Sequence, residues 1–542
     1  MDQYDYIIVG AGSAGCVLAN RLSADGRHRV LLLEAGGSDR RFWVQVPIGY
    51  GKTYYQKAVN WRYLTEPVPG LNGKPSYWPR GRVLGGSSSI NAMVFIRGNA
   101  LDYDGWAAAG NPGWSYADVL PYFKKMETCQ AGEHGYRGTN GPLTVSDVSG
   151  ALHPLCQNYL QAGLQAGLLY NPDFNGARQD GVGLYQLTVR NGFRMSSAKA
   201  YLRPASGRRN LTIRTHAHAT RVLFEGRRAI GLEYERHGRI HQALAHREVV
   251  LSCGAVNTPQ LLQLSGIGPR GLLASRGIAV LSDSPAVGEN LQDHLGVDYL
   301  FGSRLKTLND DLNPWWGKLR AGLAYLLLRR GPLGLSVNQG GGFFKTDPGL
   351  AQPDMQLYFS PVSYTRAPAG TRPLMNPDPF PAFLLGVSNC RPHSRGTVRI
   401  RSGDPREAPE IQPNYLADER DLQALLRGVG FIRRLAGTPA LRDIITQEIQ
   451  PGADCASDED LVRNIRDSAW SVFHACSSCR MGPDPETSVV DHRLRVHGIG
   501  HLRIADASVF PSLISGNTNA AAIMVGEKAS DLILADAGNP AG

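Results

Sequence analysis

The sequence lacks the features that mark several large classes of protein. Only 8 of its 542 residues are cysteine, and they are too widely scattered for a disulfide-stabilised scaffold. There is no low-complexity tract, no internal repeat, and no run of about eighteen uncharged apolar residues that could span a bilayer. Met1 leads into a strand-like run without a signal leader, so the sequence predicts a protein of the reducing cytoplasm.

The sequence also lacks a nucleic-acid-binding module. The net charge is +10, but the excess arginine is spread along the chain and no basic stretch is interleaved with aromatic residues. We therefore expect no nucleic-acid partner, and peripheral contact with the inner face of a membrane stays open. The length of the chain predicts two domains or one large elaborated domain, and its 63 glycines and 34 prolines predict many ordered turns.

The N-terminus carries the most informative segment. The apolar run Tyr4–Val9 meets Gly10-Ala11-Gly12-Ser13-Ala14-Gly15 and then a helix-forming stretch. Such a turn places a pyrophosphate on a helix N-terminus: Gly10 permits the tight turn, Gly12 lets the backbone approach the phosphates, and Gly15 lets the helix pack on the strand. A second apolar run ends in Glu34, placed to accept hydrogen bonds from ribose hydroxyls. This pattern predicts a bound dinucleotide, which could be NAD, NADP or FAD.

Two further glycine-containing segments follow. Residues 81–98 combine paired glycines with small hydroxyl residues, as suits a backbone that runs against a flat ring or a phosphate. Residues 249–268 predict a buried strand, a turn, a short helix and a glycine stop. Residues 211–214 and 219–224 look like two strands paired with each other, and 418–435 predicts a helix.

The two glycine segments resemble the signature motifs of the glucose–methanol–choline (GMC) family of flavin oxidoreductases. The similarity covers essentially the whole chain, including Val287–His294 and two C-terminal motifs, and is greatest to bacterial choline dehydrogenase-like and aliphatic alcohol dehydrogenase members. It implies an α/β (α+β overall) fold, with a Rossmann-type FAD-binding domain and a substrate domain built on an antiparallel sheet with helices. The implied division is FAD-binding domain 1–155, 201–295 and 466–542, and substrate domain 156–200 and 296–465.

The resemblance also implies a set of FAD-binding residues, with Val222 contacting the adenine through its backbone. The set is Gly10, Gly12, Ser13, Ala14, Gly15, Glu34, Ala35, Arg82, Val83, Gly86, Asn91, Ala92, Met93, Val94, Val222, Asp506, Ala507, Asn517 and Thr518. Ile90 stands where choline oxidase-like relatives carry a flavin-linking histidine, so we expect the FAD to be non-covalent.

Two C-terminal segments carry the expected chemistry. Residues 471–482 resemble the active-site histidine motif of the family, and 516–520 resemble the element that supplies a second catalytic residue, which gives the pair His474 and Asn517. An imidazole with an ordinary pKa near 6.5 can remove the hydroxyl proton of an alcohol, which makes the carbon a strong hydride donor toward flavin N5. Asn517 would hold the substrate oxygen.

The histidine motif departs from its relatives by containing Cys476-Ser477-Ser478-Cys479. This spacing could indicate a redox disulfide or half of a metal site. No second cysteine pair completes a zinc site, so we expect no metal and two unpaired thiols near the active site.

The sequence thus predicts an FAD-dependent enzyme that oxidises a primary alcohol (aliphatic, aromatic or choline-like) to the aldehyde and passes electrons to a quinone or another non-oxygen acceptor. An oxidase that uses oxygen and releases peroxide, a flavin-dependent lyase or photodecarboxylase, and a non-enzymatic flavin-binding module are the alternatives. Residues 313–330 form an amphipathic, aromatic and basic stretch, which fits either a membrane-surface helix or a helix packed at the substrate entrance.

Overall fold

The computed structural model describes residues 2–130, 132, 135–364 and 376–538, which form two seven-stranded sheets with helices packed on them. One sheet is mostly parallel and the other is antiparallel. The predicted fold class, a Rossmann-type layer joined to an antiparallel substrate layer, is confirmed. Among these described residues no helix is both long and apolar enough to cross a membrane.

The strands are, in chain order, β1 (Asp2–Val9), β2 (Val30–Leu33), β3 (Tyr63–Leu64), β4 (Tyr77–Trp78), β5 (Glu127–Cys129), β6 (Leu143–Val145), β7 (Gly181–Leu184), β8 (Val189–Arg190), β9 (Phe193–Arg194), β10 (Leu211–Arg214), β11 (Ala217–Glu225), β12 (Arg228–Arg236), β13 (Arg239–Leu251), β14 (Ile267–Gly268), β15 (Ser282–Asp283), β16 (Leu295–Ser303), β17 (Gly340–Phe344), β18 (Met355–Ser360), β19 (Ala382–Asn389), β20 (Thr397–Arg399), β21 (Glu410–Gln412), β22 (Ile445–Gln450), β23 (Trp470–Ser471) and β24 (Leu502–Ile504).

The α-helices are α1 (Ser13–Leu22), α2 (Phe42–Gln45), α3 (Tyr50–Thr53), α4 (Ala100–Ala108), α5 (Tyr116–Met126), α6 (Leu155–Gln165), α7 (Arg203–Ala205), α8 (Gly254–Leu264), α9 (Arg270–Ser275), α10 (Leu308–Leu312), α11 (Trp315–Leu328), α12 (Glu419–Ala436), α13 (Pro439–Arg442), α14 (Asp458–Ser468) and α15 (Asn519–Gly538). A π-helical segment, Ala198–Leu202, precedes α7.

The first sheet has the order β10-β2-β1-β13-β12-β11, and β24 pairs with the C-terminal part of β13. The strands β10, β2, β1, β13 and β24 pair in parallel, and β1 and β2 carry apolar side chains on both faces because helices cover the sheet. The order β1, turn, α1, β2 confirms the strand–glycine turn–helix–strand pattern predicted from the sequence. The segment 249–268 likewise forms the end of β13, a turn, α8 and a positive-φ Gly266.

The expected pairing of the strands at 211–214 and 219–224 is wrong. β10 pairs in parallel with β2, whereas β11 pairs with β12 at the opposite edge of the sheet. β11 and β12 are joined by a tight turn between Glu225 and Arg228, so the antiparallel partner of β11 is the strand that follows it. The apolar patterns were sufficient to identify both strands but could not identify their partners.

The second sheet has the order β22-β16-β19-β18-β17-β7, with β23 pairing with the start of β16. All of these pairings are antiparallel. α12 packs behind this sheet through an apolar stripe that includes Leu425, Val429 and Ile432. Its bounds confirm the helix predicted at 418–435, and Asp418 caps its N-terminus by accepting from the Arg420 N–H.

Candidate active site

A cavity of about 570 Å³ opens where the carboxyl ends of four parallel strands meet. Val9 ends β1, Leu33 ends β2, Leu251 ends β13 and Ile504 ends β24, and the residues that follow each of them line the cavity. In open α/β sheets this edge is where ligands bind, because loops from several strands converge there. The fold therefore brings segments more than 450 residues apart to one site.

The N-terminal glycine turn has the geometry that its residues predict. Gly10 has φ +96°, and a Cβ on Gly15 would lie 1.9 Å from the Gly10 carbonyl oxygen, so α1 packs against the turn at a distance that only glycine permits. Gly12 is the N-cap of α1, so no side chain caps the first N–H groups of that helix. These groups are available to an anionic ligand in the cavity.

Glu34 lies beside the same turn and is buried. Its two carboxylate oxygens accept from the Ala11 N–H (3.0 Å) and the Gly36 N–H (2.8 Å), and each keeps a second lone pair for a ligand. Burial raises the pKa of this carboxyl to about 7, against the lowering effect of the two backbone donors.

The second glycine segment packs directly on the first. A Cβ on Gly86 would lie 2.7 Å from the Gly12 Cα, so the paired glycines allow the two cofactor-binding loops to touch. Asn91 accepts from the Met93 N–H (3.1 Å), and Met93 has φ +64°. The Arg194 guanidinium supports this loop by donating to Asn91 Oδ1 (2.8 Å) and to three backbone carbonyls.

Arg194 is a supporting residue that the sequence did not reveal. It is 1% exposed, and all of its recorded hydrogen-bond acceptors are uncharged. Burial lowers its pKa to about 9. No motif marks this arginine, because its role depends on β9 packing against a loop about a hundred residues earlier in the chain.

Most of the residues predicted to bind the cofactor line the cavity. They are Gly10, Gly12, Ser13, Ala14, Glu34, Ala35, Gly86, Asn91, Ala92, Met93, Val94, Asp506, Ala507, Asn517 and Thr518. Asp506 also ties two motifs together, because its carboxylate accepts from the Gly254 N–H (2.8 Å) and from Thr258 Oγ1 (2.6 Å).

Four predicted residues lie outside the lining. Gly15 is in the helix–turn contact, the Arg82 guanidinium lies 4.7 Å from the Trp61 ring, and Val83 is buried against Ile90. The backbone N–H of Val222 is not available to a ligand, because it donates to Ser265 Oγ (2.9 Å). The part of β11 that does line the cavity is 217–219.

His474 and Asn517 meet in the wall of the same cavity. His474 Nε2 lies 3.1 Å from Asn517 Nδ2, and both side chains line the cavity wall. Burial lowers the pKa of His474 well below its usual value, and nearby His294 and Arg80 lower it further. His474 is therefore neutral and able to accept a proton at neutral pH.

The loop that carries His474 is held by Asp293. Phe473 has φ +67°, an uncommon conformation for a bulky residue that costs about 1–3 kcal/mol and must be compensated by surrounding contacts. Asp293 supplies them by accepting from the His474 N–H (2.6 Å), from Ser471 Oγ (2.5 Å) and from the Tyr415 hydroxyl. Asp293 and His294 lie in the family motif Val287–His294, but the sequence alone predicted no role for either of them.

Beside His474 the cavity wall is mostly aromatic. The Phe473 ring contacts Tyr54 (5.5 Å between ring centroids) and Trp470 (5.9 Å), and Tyr358 lines the cavity from β18. The Asp298 carboxylate on β16 also lines the cavity, close to Gly386, where a Cβ would lie 2.3 Å from Asp298 Oδ1. This part of the cavity can hold a small, largely apolar molecule.

The two cysteines of the histidine motif are unpaired and fully buried. Burial raises the pKa of Cys476 to about 12 and that of Cys479 well above its usual value, so neither is a thiolate at neutral pH. Within the described parts of the chain no cluster of three or more His, Cys, Asp or Glu side chains could hold a metal ion.

Comparisons with known proteins agree with this geometry. Two family models, both described as GMC oxidoreductase, match residues 4–296 and 392–526. The chain is 43% identical to the alcohol dehydrogenase [acceptor] of Pseudomonas putida, over 98% of this chain and 96% of that protein. It is also 43% identical to the oxygen-dependent choline dehydrogenase of Photobacterium profundum, over 98% and 93% of the two chains.

Among solved structures, pyridoxine 4-oxidase from Mesorbium loti superposes with a TM-score of 0.87 at 30% identity, over 97% of this chain and 98% of that chain. The two family matches together span most of the sequence, and the relatives match it nearly end to end. The chain therefore belongs to the glucose–methanol–choline oxidoreductase family.

Proposed function

We propose that the protein oxidises a primary alcohol to its aldehyde, with His474 as the general base. The observation that carries this proposal is the 3.1 Å contact of His474 and Asn517 in the cavity that the glycine turns also line. His474 Nε2 takes the hydroxyl proton, and an Asn517 N–H holds the oxygen as negative charge develops on it. FAD, the cofactor of this family, would supply the acceptor for the hydride of the alcohol carbon.

The residues present fit FAD. The uncapped N-terminus of α1 and the close approach of Gly86 to Gly12 would accommodate a pyrophosphate, and Glu34 and Ala35, which line the same cavity, would hold the adenosine half. The loop 90–94 lines the same cavity as His474 and Asn517 and would face the flavin ring. Ile90 has a hydrocarbon side chain that offers no atom for a covalent bond, which favours non-covalent FAD.

The strand positions also support the proposed domain division into 1–155, 201–295 and 466–542 for the cofactor and 156–200 and 296–465 for the substrate. β7 from the first substrate segment pairs with β17 from the second, and β10 to β13 and β24 belong to the parallel sheet. β23 is the exception, because it lies in the last FAD-binding segment and pairs with β16 of the substrate sheet.

Anaerobic reduction of the bound flavin by an added alcohol tests the proposal. We expect His474→Ala to slow flavin bleaching by about 100-fold or more, the usual contribution of a general base. The exposed His246 is the matched control, and its replacement by alanine should leave the rate unchanged. A His474→Ala enzyme that reduces its flavin at the wild-type rate would contradict the assignment.

Asp298 favours a second substrate class, cationic alcohols of the choline type. Aromatic faces together with one carboxylate are the usual recognition site for a quaternary ammonium group, and Asp298, Tyr358 and Trp470 line the wall beside His474. Asp298→Asn should raise the KM for choline about tenfold or more and leave the KM for benzyl alcohol unchanged. Equal effects on the two substrates would instead indicate a structural role for Asp298.

A non-oxygen electron acceptor is proposed over oxygen, and peroxide release during turnover in air distinguishes the two. Peroxide formed in step with aldehyde would make the protein an oxidase. The photodecarboxylase and flavin-binding-module alternatives are disfavoured because neither needs a base at His474. The lyase alternative is disfavoured because the chain is 43% identical to proteins named as alcohol and choline dehydrogenases. Flavin that no alcohol reduces would favour them.

We further propose that this cytoplasmic enzyme binds peripherally to the inner face of a membrane through α11. Only Gly317, Ala321 and Tyr325 of this helix are buried, whereas its apolar face is exposed to solvent. That face consists of Trp315, Trp316, Leu319, Leu323, Leu326, Leu327 and Leu328, with Trp315 and Leu327 each 76% exposed. Four cationic side chains flank it, namely Lys318, Arg320, Arg329 and Arg330, and this composition suits an anionic bilayer surface.

Co-sedimentation with vesicles tests this binding. We expect binding to vesicles that contain phosphatidylglycerol, weaker binding to pure phosphatidylcholine, and loss of binding in Leu323→Glu/Leu327→Glu. The control replaces Leu169, a 62% exposed leucine outside α11, with glutamate. Equal binding of wild type and the double variant would contradict the proposal.

A further inference from the structure

His474 makes a second hydrogen bond, away from the cavity, to a buried histidine. His294 Nδ1 lies 2.8 Å from His474 Nδ1, and His294 Nε2 lies 2.9 Å from the Cys390 carbonyl oxygen. A carbonyl can only accept, so His294 carries its proton on Nε2. His294 is fully buried, and burial lowers its pKa to about 4, which keeps it neutral. Its Nδ1 is therefore a bare lone pair, and His474 must donate to it from Nδ1–H.

A separate chain of hydrogen bonds reaches His474 from the cavity side. The Tyr185 hydroxyl donates to the Leu357 carbonyl (2.6 Å), so it accepts from Gln356 Nε2 (3.0 Å). The same Gln356 Nε2 donates to Asn517 Oδ1 (3.2 Å). The amide of Asn517 is thereby turned so that its Nδ2 faces His474 Nε2, which must be an acceptor.

Tyr358 agrees with this orientation of Gln356. Its hydroxyl donates to Gln356 Oε1 (2.9 Å) and shares a hydrogen bond with Ser388 Oγ (3.0 Å). The oxygen and nitrogen ends of the Gln356 amide are therefore both specified by partners that do not depend on His474. The hydrogen-bond chain through His294 begins at the Cys390 carbonyl and reaches His474 Nδ1, whereas the chain through Gln356 begins at the Leu357 carbonyl and reaches His474 Nε2. Both chains require a proton on Nδ1 of His474 and a lone pair on its Nε2.

We propose that His294 and Gln356 are positioning residues that hold His474 as the Nδ1–H tautomer, with its lone pair on Nε2 toward the cavity. This inference deepens the proposed function and rests on the role of His474 as the base. The alcohol gives its proton to Nε2, and the imidazolium so formed donates Nδ1–H to the neutral lone pair of His294. The Asn517 N–H that occupied Nε2 is released to the substrate oxygen.

Removing the acceptor at His294 Nδ1 is expected to slow the reaction, because the His474–His294 hydrogen bond becomes charge-assisted once the alcohol proton has been transferred. A hydrogen bond of that kind corresponds to roughly a 10- to 100-fold effect on rate. Leucine at position 294 fills the space of histidine without accepting. Asparagine places Oδ1 near the former Nδ1 and so keeps the acceptor while losing the contact to Cys390.

The tautomer itself can be measured on the FAD-bound enzyme by ¹⁵N NMR of histidine-labelled protein, with the His474 signals identified by their absence in His474→Gln. We expect a protonated Nδ1 and a lone pair on Nε2 in the wild type. His294→Leu should mix the two tautomers and slow flavin reduction at least tenfold, and His294→Asn should stay within about threefold of the wild type. Gln356→Glu turns the Asn517 amide around and should favour Nε2–H.

Ser388→Ala is the matched control, because it removes a partner of Tyr358 without changing the donor and acceptor directions in either hydrogen-bond chain. His474 should keep the wild-type tautomer in this variant. A wild-type His474 found as Nε2–H would overturn the proposal. So would a His294→Leu enzyme with unchanged tautomer and rate. If His294→Leu does not fold, the wild-type and His294→Asn spectra still decide. A failure of the proposed function appears separately, as normal flavin reduction by His474→Ala.

Discussion

Adding one methyl group at Gly15 should weaken cofactor binding while the rest of the fold is kept. A Cβ at this residue would lie 1.9 Å from the Gly10 carbonyl oxygen and 3.1 Å from the Gly10 carbonyl carbon. Both atoms belong to backbone, so no side-chain rotation can relieve the contact. Gly10 itself is tied to β2 through its N–H, which donates to the Leu33 carbonyl (2.8 Å).

The magnitude follows from this geometry. Since Cβ atoms are essentially never closer than 3.0 Å to another atom, Gly15→Ala requires the turn and α1 to separate by at least about 1 Å. Overpacking of this kind costs about 1–3 kcal/mol of stability. The same displacement misplaces the N-terminus of α1, so we expect the affinity for FAD to fall at least tenfold, about 1.4 kcal/mol.

The assay is the ratio of bound flavin to protein after gel filtration, together with urea unfolding of the apoprotein. Gly105→Ala is the matched control, because Gly105 lies in α4 with no atom within 4 Å of its added Cβ. Removing a helical glycine there should stabilise the protein by about 0.5–1 kcal/mol and leave FAD binding unchanged. Full flavin content and unchanged stability in Gly15→Ala would refute the close-packing argument.

Two further predictions concern buried charge. Glu127 is fully buried and accepts from Arg97 (2.5 Å) and Arg137 (2.8 Å). Glu127→Gln should therefore destabilise the protein by about 3 kcal/mol or more, as measured by urea unfolding. The control, Glu289→Gln, removes a carboxylate from a surface ion pair and should change stability by less than about 1 kcal/mol. Burial lowers the pKa of His294 to about 4 in the folded protein, against about 6.5 when unfolded, so at this group the unfolded chain binds more protons between these values. The contribution of His294 to stability should therefore fall as pH drops from 6.5 to 4, by up to about 1.4 kcal/mol per pH unit. His294→Asn should show a shallower decline over that window in pH-dependent urea titrations, and equal slopes would contradict the prediction.

The parts of the site that the sequence predicted are those whose requirements are local. Gly10 and Gly15 are constrained by a turn and a helix within six residues of each other, so their spacing alone carries the geometry. The family resemblance identified His474 and Asn517 in the same way, because each lies in a short motif. The bounds of α12 were predictable because its capping residue and apolar stripe are also local.

The parts that were missed or wrong depend on contacts between distant segments. β10 and β11 have clear strand patterns, but hydrogen-bond partners are chosen by the whole sheet. Arg194 and Gln356 carry no motif, since each acquires its role only when its strand packs against a loop more than a hundred residues away. The hydrogen bond from the Val222 N–H to Ser265, which directly follows α8, is another contact between separate segments that no local pattern reveals.

The proposed catalytic pair is assembled from both layers of the protein. His474 follows β23, which pairs with β16 of the antiparallel sheet, and its N–H is held by Asp293 just before that strand. Asn517 precedes α15, which packs on α1 of the cofactor layer. The 3.1 Å contact between them therefore depends on how the two layers dock. Because Gln356 from β18 reaches across to Asn517, the substrate sheet orients both members of the pair, including the one that the cofactor layer supplies.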